Sequence, residues 1–433
     1  MMEIKERELG KPFIMLAMNV HPSHSSAAAV RGQATYSSDI CIVGTGAIGK
    51  TAALALAQAG LRVTLLAPPL PSAAPTAATE ASWDVRVYAI NQVGQSLLSS
   101  LKVWDALAAD RIAVVDGMDV SGDAENYPGH LSFDAYSSHV DALAWIVEDR
   151  NLNTALDAAL KFAPNLQLVH GRAHALNTDA QHAHLLLDSG ETIQASLLVG
   201  ADGAQSWVRG QCDIGLDYRS YGQRAIVTNF ACAKPHLDIA RQWFTSAEGI
   251  VALLPLPGQR VSLVWSAPEA LAETLMQQPA AQLAQHLAHY AAPALGALTP
   301  LQPELVRDFP LRLIKPHAIT APRVALIGDA AHVVHPLAGH GMNLGFADVA
   351  ALLALITARE AHRDCGDARV LGRYARARKE DVLLMQLATD GLARLFETSA
   401  EPLQLIRNLG LNLVNHLPLL KRRLMAHALG KKT

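Results

Sequence analysis

Asp39-Ile-Cys-Ile-Val43 runs directly into Gly44-Thr-Gly46-Ala-Ile-Gly49, and an Ala/Leu-rich stretch from Lys50 to Ala59 follows. A short apolar run closed by glycine reads as a buried parallel strand. Gly60 stands where a helix ends in a left-handed residue, and Leu61-Arg-Val-Thr-Leu-Leu66 supplies a second strand. Strand, glycine turn, helix and strand in one short run predict a βαβ unit. In such a unit Gly44 permits the tight turn, Gly46 lets the backbone approach a pyrophosphate, and Gly49 lets helix and strand pack closely. The helix N-terminus then offers free N–H groups and a positive dipole end. A dinucleotide site is the functional reading; an ordinary βαβ unit with accidental glycines is the bland one.

The fingerprint also asks for an acidic residue at the end of the second strand, where it holds ribose hydroxyls. Here that strand ends Leu65-Leu66-Ala67-Pro68-Pro69. The Ala67 side chain cannot accept a hydrogen bond from the ribose. A bond to a charged group is worth roughly 1.5–3 kcal/mol, which is about 10–100-fold in affinity. The expectation is weakened cofactor binding rather than none.

Two further strand ends carry chemistry. Leu197-Leu-Val-Gly-Ala leads into Asp202-Gly203, with Ser206 and Arg209 downstream. Arg323-Val-Ala-Leu-Ile-Gly328 leads into Asp329, then His332 and His335-Pro336-Leu-Ala-Gly339-His340-Gly341-Met342-Asn343-Leu-Gly345. A carboxylate at a strand end suits a sugar hydroxyl. A glycine-dense helix start, here leading into a helix predicted from Phe346 to Ala358, presents backbone N–H groups to an anion or polarised carbonyl. Taken alone, Asp202-Gly203 is a common turn and Asp329 a possible helix cap.

In this order the three motifs resemble the FAD-dependent aromatic hydroxylases of the p-hydroxybenzoate hydroxylase fold, and more narrowly the hydroxylases of ubiquinone biosynthesis. The resemblance runs from about Asp39 to Gly430. It extends to Asp84-Val-Arg86-Val-Tyr-Ala-Ile90, Val103-Trp104-Asp105, Leu143 to Glu148, Tyr221-Gly-Gln223-Arg-Ala-Ile-Val, and Tyr374 with Arg378, followed by Asp390-Gly-Leu and Leu395-Phe396. It implies FAD as cofactor, held by Gly44, Gly46 and Gly49 at the pyrophosphate. Arg86 would reach the cofactor from the loop after the second strand. Asp202 and Gly203 would form a motif tied to FAD and nicotinamide, and Asp329 would contact the ribityl region. The backbone from Gly339 through Gly341, Met342 and Asn343 would lie against the flavin. Pro336 would sit under the ring on the substrate side. Three positions depart from the pattern: Ala67, His340 where Gln is usual, and Asp149 where Asn is common. His340 is a candidate pocket residue or a tolerated surface change.

The resemblance further implies NAD(P)H as a transient reductant, O2 as co-substrate and a polyprenyl phenol as substrate. No second glycine fingerprint exists for the nicotinamide. Expected partners are other ubiquinone-biosynthesis proteins, and the expected location is cytoplasmic, peripheral at the inner membrane. Rival readings are a flavin-dependent reductase or halogenase of the same fold, and a non-catalytic lipid-binding or assembly protein.

A chain of 433 residues exceeds what one core usually serves, so two domains are expected. The fold class is α/β: a Rossmann-like FAD-binding domain over 38–115, 136–216 and 311–375, with an inserted antiparallel-sheet substrate domain over 116–135 and 217–310. Helices would fill 376–433. The chain crosses between domains at Asp217–Ala225 and Phe309–Pro322. Substrate would bind between the inserted sheet and the flavin. Residues 1–37 read as a disordered leader, or as sequence upstream of a true start at Met15 or Met18. The tail from Leu403 to Leu424 has helical apolar spacing, with Lys421, Arg422 and Arg423 and then Lys431 and Lys432. It suits either membrane-surface docking or core packing.

A net charge of −3 supplies no basic field for nucleic acid. Cys41, Cys212, Cys232 and Cys365 are scattered and read as buried thiols. No uncharged run reaches the length of a membrane span. His332 and His335 have ligand-like spacing, but no carboxylate or thiol stands near them in sequence, so no metal site is expected.

Overall fold

The strand Tyr36–Val43, buried over its last four residues, pairs in parallel with Val63–Ala67 on one side and Thr192–Gly200 on the other. A strand flanked on both edges must be apolar on both faces, which is why Ile40 to Val43 carries no polar side chain. The sheet continues in parallel through Leu166–His170 beyond Val63–Ala67 and through Val324–Leu326 beyond Thr192–Gly200. An antiparallel hairpin, Ala173–Thr178 with Ala183–Leu187, extends it from Thr192–Gly200. The structure is a computed structural model and describes residues 36–69, 82–123, 129–335 and 340–397. Residues 1–35 of the leader, the alternative starts and the basic tail lie outside the described residues, while Tyr36 and Ser37 already belong to the first strand, opposite Ile193 and Gln194.

Helix Ala47–Gln58 begins three residues earlier than its Ala/Leu composition suggests, inside the glycine motif. It packs on helix Asp149–Lys161 and on helix His340–Thr357. The last of these starts six residues ahead of Phe346, so the Gly341–Gly345 stretch is itself helical. Gly345 explains the close approach: a Cβ there would stand 2.7 Å from Ile48 Cγ1. The main core fills this layer, with Ile40, Leu54, Leu65, Ile90, Phe346 and Tyr374 at its centre.

A second sheet runs Leu298–Pro300, Leu216–Cys232, Arg260–Pro268, Gly249–Leu256, Ile239–Thr245, Gly117–Ser121 and His130–Asp134. It is antiparallel except at one place: Gly117–Ser121 lies parallel to Ile239–Thr245. The inserted sheet is thus antiparallel as expected, with this one parallel pair where Gly117–Ser121 joins from elsewhere in the chain. Helices Glu269–Met276 and Ala280–Leu295 cover one face, through Val251, Leu263, Trp265, Leu275 and Leu287. The 17-residue strand Leu216–Cys232 and the strand Arg307–Pro316 are the two passages between the sheets, and they pair with each other from Leu216↔Pro316 to Val227↔Arg307 across a bulge. A small third sheet joins Val87–Ile90, Ala144–Glu148 and Ile112–Val115. Among the described residues no helix is long and apolar enough to cross a membrane.

Candidate active site

The first glycine turn is built on contacts no side chain would allow. Gly44 has φ +118°, and a Cβ on it would stand 2.3 Å from the Ala201 carbonyl oxygen. A Cβ on Gly49 would stand 2.1 Å from the Gly44 carbonyl oxygen. A Cβ on Gly46 meets nothing within 4 Å. Two of the glycines thus close the turn against the strand end at Ala201, and the third faces open space. That space is a cavity of about 650 Å³, lined at this end by Gly46, Ala47, Gly49, Arg86, Gly203 and Asp329. Helix Ala47–Gln58 has no side-chain cap and no acidic residue in its first turn. Its N-terminal N–H groups therefore face the cavity without an internal acceptor, the arrangement that takes a phosphate.

Arg86 is presented by a rigid loop. Its backbone N–H donates to Asp84 Oδ1 at 3.0 Å, and the Arg150 N–H donates to Asp84 Oδ2 at 3.1 Å. Buried Glu148 accepts from the Asp84 N–H and from both Nε and Nη2 of Arg111, at 2.6 and 2.8 Å from the guanidinium. The Asp84 to Ile90 and Leu143 to Glu148 segments are thereby one scaffold behind Arg86. Beside it Tyr88 donates to Asp149 Oδ1 at 2.7 Å, and Asn153 Nδ2 donates to the same carboxylate at 2.8 Å. Asp149 is a cavity-lining residue.

The two Asp-Gly strand ends play different parts. Asp202 Oδ1 accepts from Ser206 Oγ at 2.5 Å and Oδ2 from the Val208 N–H at 3.0 Å. The Asp202 carboxylate organises the following turn and is not among the lining groups; Gly203 is. Arg209 locks this turn to the other, donating to the carbonyls of Ala330 at 3.0 Å and Ala204 at 2.8 Å. Substituting Asp202 by alanine is expected to cost about 1–3 kcal/mol through the lost hydrogen bonds to Ser206 Oγ and the Val208 N–H. Denaturant unfolding of the FAD-saturated protein checks it, and an unchanged midpoint would show the turn holds without the carboxylate.

Asp329 opens onto the cavity from the short turn Gly328–Ala330. Burial by its surroundings raises its carboxyl above the ordinary value, and the charges of His332 and Arg86 only partly offset this. Asn343 Oδ1 accepts from the Asn91 N–H at 2.9 Å, and its Nδ2 donates to the Ala89 carbonyl at 2.8 Å. Its side chain is thus committed to the Val87–Ile90 segment, while Gly341, Met342 and Asn343 border the cavity. Pro336 and Gly339 lie outside the described residues, and of His340 only the backbone, at the helix start, is described.

One group was not legible beforehand. Asp348, fully buried in helix His340–Thr357, accepts from the Gly328 N–H at 2.9 Å, His332 Nε2 at 2.6 Å and Arg378 Nε at 2.7 Å. The expectation that His332 has no carboxylate near it is corrected: the fold brings one from sixteen residues downstream. Tyr374 donates to the Leu326 carbonyl at 2.9 Å, so Tyr374 and Arg378 both brace the third motif from helix Ala368–Glu397. His335 shares a hydrogen bond of 3.0 Å with Gln223 Oε1 and meets the Tyr221 ring edge-on at 4.8 Å. Burial pushes its imidazole down to about 4, so it is neutral at physiological pH. Elsewhere, Asp179, His182 and His184 gather at an exposed hairpin tip with ligand atoms within 4.8 Å. There the Asp179 oxygens are already taken by the Gln181 and His182 N–H groups and by His184.

Ala67 closes its strand buried against His170 and does not line the cavity. No acidic side chain stands at this strand end. Placing one there by Ala67→Glu is expected to tighten FAD binding by about tenfold. Fluorescence titration of apoprotein with FAD measures it, and equal or weaker affinity would show that the ribose is held by other groups.

Comparison with known proteins gives the geometry its family. The family described as FAD binding domain matches residues 37–384. The chain belongs to that family. It is a flavoprotein monooxygenase with FAD as cofactor. Among its relatives, the ubiquinone hydroxylase UbiL of Rhodospirillum rubrum is 35% identical over 94% of this chain and 92% of its own length. The 3-demethoxyubiquinol 3-hydroxylase of Escherichia coli is 37% identical over 90% of this chain and 98% of its own. The mitochondrial ubiquinone biosynthesis monooxygenase COQ6 of Homo sapiens is 31% identical over 80% and 82%. In fold the chain is similar to PqsL of Pseudomonas aeruginosa, described as a probable FAD-dependent monooxygenase (TM-score 0.70, 22% identity, covering 86% of this chain and 100% of that one). It is equally similar to HpxO of Klebsiella pneumoniae, solved with FAD and uric acid (TM-score 0.70, 17% identity, covering 92% and 98%).

Proposed function

We propose that this flavoprotein hydroxylates the aromatic ring of a polyprenylated ubiquinone precursor, using NAD(P)H and O2. The observation that carries the reading is the continuity of the cavity. One end is bounded by Gly46, Arg86, Asp329 and Gly341, and the other by Met118, Val227, Ile250, Leu254 and Phe309 on the second sheet. A polar end with one guanidinium and an uncapped helix N-terminus suits a dinucleotide, and an apolar wall suits a ring with a hydrocarbon tail.

The residues fit FAD. In this reading Gly44 and Gly49 hold the turn while Gly46 and the N-terminus of helix Ala47–Gln58 take the pyrophosphate. Arg86 adds a positive charge. Gly203 lies close by, with Asp202 shaping its turn, and the Asp329 carboxyl accepts from ribityl hydroxyls. The backbone of Gly341, Met342 and Asn343 borders the flavin because the Asn343 side chain is committed to Ala89 and Asn91. Bound flavin supplies the hydride and oxygen chemistry, which no side chain here replaces. The protein's part is to orient the ring, to place positive backbone dipoles where negative charge gathers, and to exclude water with the apolar wall. The FAD-binding part would comprise 38–115, 136–216 and 311–375, and the substrate part 116–135 and 217–310. Peripheral contact with the inner membrane through the basic tail, and assembly with other ubiquinone-biosynthesis proteins, belong to the same reading.

Purified protein is expected to be yellow and to oxidise NAD(P)H faster when a prenylated phenol is added. A protein that cannot be reconstituted with FAD would sink both this reading and the reductase and halogenase alternatives. Flavin-bound protein whose NAD(P)H oxidation ignores phenols would leave a reductase. Complementation of bacterial strains lacking each ring hydroxylase, with quinone intermediates identified by mass spectrometry, then assigns the ring position.

A further inference from the structure

The wall of the cavity on the second sheet is one face of its strands. Register fixes who stands beside whom. Gln242 pairs with Ala252, Ala252 with Val264, and Val264 with Val227, so these four form a row across the sheet. Ala240 and Leu254 stand in the next row towards Met118. Every side chain named here is apolar except Gln242.

Gln242 is 5% exposed and lines the cavity. Its carboxamide makes no hydrogen bond among the described residues, although its strand neighbours on the other face, Arg241 and Trp243, are held by backbone carbonyls and by an aromatic partner. A carboxamide so placed is unfavourable unless something in the cavity pairs with it. Ala252 beside it is small, which leaves room next to the amide for a ring. The other polar residue of this wall among the described residues is Ser266, opposite Ile250, whose short hydroxyl stands a row away from the space beside Ala252.

We propose that Gln242 is a specificity-determining residue that hydrogen-bonds an oxygen on the aromatic ring of the substrate and so sets which edge of the ring faces the cofactor end of the cavity. This rests on the hydroxylase reading for the identity of the ring. The hydrocarbon tail gives no such handle, because the rest of the row offers only dispersion contacts. Ring orientation is therefore decided by one amide, and ligands lacking the oxygen lose the preference for that edge.

The test uses the FAD-bound full chain and two probes, 2-prenylphenol and prenylbenzene, which differ only in the hydroxyl. Binding is followed by the change in flavin absorbance. Wild-type protein is expected to bind the phenol about tenfold more tightly than the hydrocarbon. Gln242→Met, close in volume, is expected to bind the two alike while keeping its FAD content; Gln242→Leu replaces it if that variant does not hold FAD. A phenol preference that survives in the variant overturns the proposal, and so does a wild-type protein without any preference. Wild-type protein that binds neither probe defeats the hydroxylase reading together with the proposal, which separates the two failures. A merely structural role for Gln242 would lower affinity for both probes equally.

Discussion

Asp348→Ala is expected to destabilise the protein by about 3–5 kcal/mol, because three buried donors lose their shared acceptor and the Arg378 guanidinium keeps only Asp381 and the Leu344 carbonyl. The three donors that converge on Asp348 come from three elements: the Gly328 turn, His332 after it, and Arg378 on helix Ala368–Glu397. Loss of the carboxylate leaves the Arg209 bond to the Ala330 carbonyl and the Tyr374 bond to the Leu326 carbonyl to hold this part of the third motif. The Asp348→Asn variant would fare little better. All neighbours of this carboxylate donate, so the amide N–H that replaces one oxygen must face another donor. Denaturant unfolding with and without saturating FAD measures both variants, and a loss under about 1 kcal/mol would refute the reading of this network as the brace of the motif. The pH dependence has a definite sign. Burial by itself would raise the Asp348 carboxyl, but His332 and Arg378 outweigh it and hold the carboxyl below its ordinary range. A folded-state value below the unfolded one gives stability that is present above about pH 4 and is lost as pH falls below it.

Gly49→Ala is the second large effect. The added Cβ meets the Gly44 carbonyl oxygen at 2.1 Å, and backbone on both sides cannot turn away as a side chain can. Overpacking of this kind costs about 1–3 kcal/mol, and the displaced turn should weaken FAD by about a hundredfold. Gly46→Ala makes the informative contrast. Its Cβ meets no protein atom within 4 Å, so apoprotein stability should be unchanged. The new methyl nevertheless enters the cavity, and FAD should bind more weakly. Thermal melting of apoprotein and FAD titration of each variant separate the two cases. Equal FAD affinity in Gly46→Ala and wild type would move the pyrophosphate elsewhere.

These residues also show what a single sequence makes readable. Gly44, Gly46 and Gly49 stand out because their spacing follows from the geometry of a turn, and the structure gives each a distinct steric reason. Asp329 was readable because it ends an apolar strand. Asp348 was not: it sits in an Ala/Leu helix where one acidic residue looks like a solvated face, and only the packing of distant elements around it makes it central. Asp202 was readable as a motif but not in detail, since nothing local says that its oxygens turn towards Ser206 and Val208. Gln242 lies on a strand whose alternation is visible, Ala240, Gln242, Phe244, yet which face meets the cavity depends on pairing with segments distant in the chain. Helix boundaries moved for a related reason. Glycine lowers helix propensity, and Gly341 to Gly345 is helical because Gly345 lets the backbone close on Ile48.

The pairing of Leu216–Cys232 with Arg307–Pro316 governs how this molecule can be divided. Each passage is the other's hydrogen-bonding partner, so a fragment that ends at one of them carries an open strand edge into solvent, and such edges aggregate. The region from Leu216 to Pro316, together with Gly117–Ser121 and His130–Asp134 that pair onto its Ile239–Thr245 strand, is therefore a cassette that can be exchanged only as a whole. Grafting it from a relative that acts on a different ring position would transplant the apolar wall, with its row at Gln242, and leave the glycine turns untouched. The seam for recombination is written in backbone hydrogen bonds and so is indifferent to the side chains that the two parents have since changed.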